Sequence, residues 1–381
     1  MSFVPCNRRA LLRTGLAAVV GTALAGCGTA PAPTTTAGAS SRLRLLGEAR
    51  LASKMMFKGT TVGGLSGLDF DPARNAWVAL SDDRSELQPA RFYTLAIDVR
   101  PQALSVQVID VVTLRQADGQ PYPPRRNGGE VVDPEGIRFL PSGNLLWSSE
   151  GESRVNQHPA VHESRLDGTH VRSFEMPTLL QFPQRPGTGP RDNQAFEGLA
   201  LTPDARTAWV AMEGALLQDG PLPTVGAPGG PCRFTAFDVT TGRATRQIAY
   251  IPEAIPIAPK IPGTFADNGV SEILMLDAHR MLVLERAYAL GTGNALRLFE
   301  IDTRAASDTL QQAKLQPGQF RPAAKKLVAD FAQLGLSLLD NTEGMCWGPP
   351  LPGGARTLVV VSDDNFNASQ VTQFAAFEYL E

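Results

Sequence analysis

Carboxylates recur in this chain at the two ends of paired apolar runs. Asp133-Pro134-Glu135-Gly136 opens one such pair and Glu150 closes it; Phe196-Glu197-Gly198 opens another, closed by Glu213. Looser copies run from Leu65-Ser66-Gly67 to Asp82-Asp83, from Ser271-Glu272 to Glu285, and from Asn341-Thr342-Glu343-Gly344 to Asp363-Asp364. Carboxylates brought to one place raise each other's pKa, and a bound cation relieves that repulsion. Calcium is the ion expected, because it takes many oxygen ligands in flexible geometry, and the chain has no cluster of Cys and His suited to zinc. Glu135, Glu197 and Glu343 are placed nearest the metal, with Ser66 and either Ser271 or Glu272 in the equivalent places of the other two copies. The acids that close the copies, Asp82, Glu150, Glu213, Glu285 and Asp363, suit a general base or the positioning of a metal-activated water. Arg84, directly after Asp83, and Arg286, directly after Glu285, offer a fork for a phosphate or carboxylate. A structural reading competes throughout: Glu-Gly or Ser-Gly as a hydrogen-bonded strand corner, and acid–arginine pairs as ties between repeats.

The elements that must position these groups follow from the spacing. The five copies recur at roughly 60 to 75 residues, the sign of an array or propeller. Each begins as two strand-length apolar runs joined by a turn of Pro, Asp, Gly or Asn, and two more strand-like runs follow. Four strands per repeat predicts an all-β propeller of five blades, or six if the stretch 303–339 hides further strands. Leu43 to Leu51 is a strand without a hairpin of its own, and the last copy has only three strands. The N-terminal strand is therefore expected to join the C-terminal blade, close the ring and cover an edge. In an up-and-down blade, the start of the first strand and the end of the second share one face. That places all the carboxylates beside the long connections 116–129, 177–195, 216–231 and 252–269, where a scaffold carries a site.

The beginning of the chain reads as an address. Arg8, Arg9 and Arg13 precede an apolar stretch ending in Leu24-Ala25-Gly26-Cys27 that is too short for a permanent membrane span. Residues 1–27 fit a lipoprotein signal, compatible with twin-arginine export, in which Cys27 is lipidated. Gly28 in the following place leans towards the outer membrane, on its periplasmic side. Residues 28–41 are a tether of Thr, Ala, Pro, Gly and Ser, and 42–381 form one propeller domain. A formal charge of −3 from 35 basic and 38 acidic residues leaves no nucleic-acid footprint. Beyond the leader, only Cys232 and Cys346 remain, in different repeats, and an exported compartment would permit a bridge between them. His158 and His162 have helical metal spacing, but Pro159 between them favours an exposed turn. No serine-hydrolase triad can be assembled, and Gly64-Leu65-Ser66-Gly67 lacks the spacing of a nucleophile elbow.

An ordered set of short motifs resembles a known family. Ser81-Asp82-Asp83-Arg84, Asp133-Pro134-Glu135-Gly136, Phe196-Glu197-Gly198, Leu284-Glu285-Arg286, Asn341-Thr342-Glu343-Gly344 and Asp363-Asp364-Asn365 look like the phytase-like family, "esterase-like activity of phytase". The resemblance implies an exported bacterial β-propeller. The Asp-rich signatures of alkaline propeller phytases are not evident, so phytate is not the expected substrate. Ser81-Asp82-Asp83-Arg84 also resembles the calcium-dependent apyrases. Together these suggest a calcium-dependent hydrolase of phosphate esters or anhydrides, acting on a small phosphorylated substrate. The alternative is a non-catalytic lipoprotein propeller that binds a ligand or protein partner at the cell envelope.

Overall fold

Strands in this chain are apolar on both faces near an axis and lose that character outwards, as stacked blades require. The computed structural model describes residues 41–182 and 186–381. The leader, the lipidation site at Cys27 and nearly all of the tether lie outside the described residues. Five four-stranded antiparallel sheets are present in the unit Ser41–Glu381. Their first strands are Leu65–Asp71, Pro134–Phe139, Phe196–Leu201, Ala266–Met275 and Thr342–Trp347, and their second strands are Ala76–Ser81, Leu145–Ser149, Thr207–Met212, Arg280–Ala289 and Arg356–Ser362. Leu43–Arg50 pairs antiparallel with Gln373–Tyr379 and is the outermost strand of the fifth sheet. The stretch 303–339 adds no sixth blade; it supplies the fourth strand of blade four, Lys325–Asp330, followed by a short 3-10 turn at Phe331–Gln333. Cys232 and Cys346 are both buried and free. His162 is not in an exposed turn: it lies buried in the strand Ala160–Ser164, stacked on Trp147 with ring centroids 4.4 Å apart.

Apolar packing runs between blades rather than within them. One core passes from Leu146 and Val161 of blade two through Phe196, Val210 and Phe237 of blade three to Ile273 and Val283 of blade four. In four of the five blades the first strands approach their neighbours so closely that no side chain fits after the Ser or Glu. A Cβ on Gly67 would stand 2.4 Å from the Glu135 carbonyl oxygen, one on Gly136 2.5 Å from Leu199 Cβ, and one on Gly198 2.7 Å from Ile273 N. Blade four alone puts a side chain in this column, Glu272. Its carboxylate meets Arg138, a guanidinium buried on the axis: Arg138 Nη2 donates to Glu272 Oε2 at 2.8 Å and to the carbonyls of Ile273 and Met345, while Nη1 donates to those of Leu68 and Ile137. One side chain thus ties the first strands of blades one, two, four and five. Burial pushes Glu272 up to about 7, although Arg138 and two backbone N–H groups pull it down.

Truncating one partner of a buried pair strands the other charge. Arg138→Leu should therefore cost about 3–5 kcal/mol of unfolding free energy in urea titrations, and Arg138→Leu with Glu272→Leu should recover most of that loss.

Candidate functional site

The repeat makes two rings of side chains on one face. In every blade the pairing of first and second strands slips at the Ser or Glu position, between Leu65 and Gly67, Pro134 and Ile137, Phe196 and Leu199, Val270 and Glu272, and Thr342 and Gly344. Such bulges re-aim a side chain at the rim of a sheet. They hold Ser66, Glu135, Glu197, Ser271 and Glu343, which form the first ring. The second ring comes from the residue just past each second strand's pairing with the bulge. The N–H groups of Asp82, Glu150, Glu213 and Asp363 donate to the carbonyls of Gly64, Asp133, Ala195 and Asn341, all at 2.7–2.9 Å. In blade four the matching place, opposite Gly269, is filled by Arg286.

Two tight groups emerge. Asp133, Glu135 and Glu150 bring ligand-capable atoms within 4.8 Å of one another, and Glu150, Glu197 and Glu213 do the same, so Glu150 belongs to both. Asp82, Asp133, Glu135, Glu150, Glu197, Glu213, Glu343 and Asp363 are all buried, eight carboxylates against the guanidinium groups of Arg84 and Arg286. Burial, then Glu197, Asp133, Glu343 and Glu150, holds Glu135 well above the usual carboxylate range. Asp82 is raised in the same way by burial, Asp363, Glu343 and Asp133, and Asp363 by burial, Glu343 and Asp364. Arg84 lies 2.5 Å from Asp133; burial pulls it down, but Asp133 and the acids behind it outweigh this and keep it charged. Arg286 Nη2 reaches Glu213 at 3.2 Å and Glu343 at 3.5 Å, while its buried Nε has no hydrogen-bond partner among the described residues. The donors are all oxygen, many and unevenly spaced, which fits a hard cation with irregular coordination such as calcium.

The structure sorts the expected residues. Glu135 and Glu197 come together with Glu150 and Glu213, and Glu150 is the residue the two groups share. Glu343 stands across the axis, accepting from Asn341 Nδ2 at 2.9 Å, beside Asp82 and Asp363. Ser66 and Ser271 occupy the first ring as ties: their hydroxyls donate to carbonyls of the next blade, Pro134 and Glu135 for one and Thr342 for the other. Glu272 is not a metal candidate, because it fills the glycine column and both its oxygens are engaged with Arg138 and the N–H groups of Leu199 and Ile273. Glu285 is likewise displaced. It pairs with Val270, one residue before Arg286, so it points to the other face of the blade and accepts from Tyr250 Oη at 2.6 Å, Lys325 Nζ at 2.8 Å and Asn268 Nδ2 at 2.8 Å. Asp83 organises its own loop, pairing with Arg91 at 2.7 Å. Asp133 was missed as a site residue; it stands two places before the Glu of its repeat, where the other blades carry Gly64, Ala195, Gly269 and Asn341.

A family model described as "Phytase-like: Esterase-like activity of phytase" matches residues 60–366, most of the chain and all five first strands. The chain belongs to the phytase-like family. Among curated proteins none matches the sequence. Similar solved structures include the Coprinopsis cinerea GH62 α-L-arabinofuranosidase catalytic domain, 10% identical, covering 89% of this chain and 97% of that one at a TM-score of 0.43. The Pseudomonas aeruginosa periplasmic gluconolactonase is 14% identical, with coverage of 84% and 87% and a TM-score of 0.33. Hydrazine synthase of Kuenenia stuttgartiensis is 12% identical at a TM-score of 0.34; 81% of this chain is covered, but it spans only 59% of that one. At these scores the likenesses carry no weight for function. What the rings of this phytase-like propeller can do follows from their own carboxylates and guanidinium groups.

Carboxylates raised on folding bind more protons in the folded chain than in the unfolded one. Between their unfolded pKa near 4 and their raised values, stability must fall as pH rises. Asp82, Glu135 and Asp363 share this sign, as do Asp69, raised by burial to about 6, and Glu272. In chelator, the melting temperature should drop by roughly 5 °C or more from pH 5 to pH 8. Excess calcium should remove most of that drop, as thermal melts would show.

Proposed function

We propose that the two rings hold a calcium ion and that the protein hydrolyses phosphate esters or anhydrides. The observation that carries this is the sharing of Glu150 between two groups of converging buried carboxylates, in a chain of the phytase-like family. Glu135, Glu150 and Glu197 would hold the cation, with Asp133 and Glu213 completing the oxygen set. The ion, when bound, would polarise phosphate oxygens and offset the charge that develops during hydrolysis. Arg286, with an Nε still unpartnered, and Arg84 would orient the phosphate through guanidinium hydrogen bonds. Asp82 and Asp363, on blades one and five, are the groups left to orient water and move its proton. Export and lipid anchoring at Cys27 belong to the same proposal and would place the propeller on the periplasmic side of the outer membrane, supported by Leu24-Ala25-Gly26-Cys27.

The ion pairs of Arg84 with Asp133 and of Arg286 with Glu213 favour one second reading, a non-catalytic propeller whose rim binds a ligand or protein. Glu150→Gln separates the two. For the hydrolase, phosphate release with calcium should fall by about 10²-fold or more while circular dichroism stays unchanged. Absence of release by the native protein across a panel of phosphomonoesters and nucleotides would leave the binding protein.

A further inference from the structure

The rim beside Asp82 is not wholly polar. Phe366 lies in the loop after the second strand of blade five, and both it and Asn365 hold left-handed backbone angles, with φ of 50° and 46°. That conformation is disfavoured for residues with a Cβ, and a phenyl ring has no local hydrogen bond to offset it, as Asn has. Two aspartates enforce it. Asp363 Oδ1 accepts from the Asn365 N–H at 2.7 Å, and Asp364 Oδ1 accepts from the N–H groups of Phe366 and Gly64, both at 3.0 Å.

The outcome is a ring laid against the first blade. A Cβ on Gly64 would stand 2.1 Å from Asp82 Oδ1 and 2.6 Å from Phe366 Cε2; one on Gly63 would meet Asp364 Oδ1 at 2.6 Å and Phe366 Cδ1 at 3.1 Å. The edge of the ring thus meets the Asp82 carboxylate over Gly64 and the Asp364 carboxylate over Gly63, where no side chain would fit. The Arg91 guanidinium lies 5.9 Å from the ring centroid and is itself paired with Asp83. Phe366 nevertheless stays partly open to solvent. Burial alone does not account for an apolar ring left partly exposed, on strained backbone, against a carboxylate of the second ring. Strain of this kind collects where a side chain must be presented to something else.

We infer that Phe366 is the substrate's apolar contact, the flat wall on which the organic group of an ester rests while its phosphate faces the carboxylates and arginines. This rests on the phosphate-ester reading and narrows it to esters of aryl alcohols in preference to polyol phosphates.

The test is calorimetric binding of phenylphosphonate and methylphosphonate, neither of which can be hydrolysed as an ester, to the full protein in calcium. The native protein should bind phenylphosphonate about tenfold more tightly, the scale of one aromatic contact. Phe366→Ala and Phe366→Leu should both bring that ratio close to one, with Phe366→Leu keeping the apolar volume and hence the fold, as melts would verify. Equal affinities in the native protein, or a preference that survives both substitutions, would overturn the inference. Hydrolysis of p-nitrophenyl phosphate, followed in parallel, keeps the two ideas apart: a Phe366-dependent preference without turnover upholds the contact and removes the hydrolase.

Discussion

Like charges taken out of water and crowded around one axis cannot all stay ionised without a counter-charge. Everything on the acidic face of this propeller follows from that constraint. Five first strands meet at the axis, and each breaks its ladder at the residue that would otherwise lie flat in the strand, so three glutamates and two serines turn to one face. The ends of the second strands add four acids and one arginine. Arg84 and Arg286 neutralise part of the charge, and Glu135, Asp82 and Asp363 are driven upward in pKa by the remainder.

The two faces of the axis handle charge differently. Around Arg138, the two terminal nitrogens of a single guanidinium are shared among one carboxylate and four backbone carbonyls, all supplied by the fold. Around Glu150, eight buried carboxylates face only the guanidinium groups of Arg84 and Arg286, and the crowding raises Glu135, Asp82 and Asp363. Native interiors tolerate such imbalance where something else is to be bound, and they stabilise it elsewhere, here through apolar packing between blades.

Much of this was legible in the sequence, because a propeller repeats its hydrophobic pattern and its corner residues together. The five hairpin copies opening at Gly67, Gly136, Gly198, Ser271 and Gly344 predict the five blades, and the Glu before three of those glycines predicts the converging glutamates. The misplacements arise in blade four, where the repeat is imperfect. Ser271-Glu272 looks like a variant of Glu-Gly in which either residue takes the glutamate's place; only the strand register shows that Ser271 does, leaving Glu272 in the glycine column. The same register moves Glu285 off the face and Arg286 onto it, a difference of one residue that no composition reveals. Arg138 was hidden inside an apolar run, since a charge there acquires its meaning from carbonyls contributed by four blades. Phe366 was hidden for another reason: its role depends on left-handed backbone and on two glycines some 300 residues away, as in the 300-residue separation of Gly64 from Asp364.

The most direct measurement is calorimetric titration of calcium into chelator-treated protein at pH 7, repeated in buffers of different ionisation enthalpy so that released protons are counted. If the crowded carboxylates exist to hold a cation, one calcium should bind, and protons should leave as Glu135 and its neighbours ionise around it. Absence of binding heat, with none of the buffers reporting proton release, would contradict that claim and return the two rings to the role of blade corners.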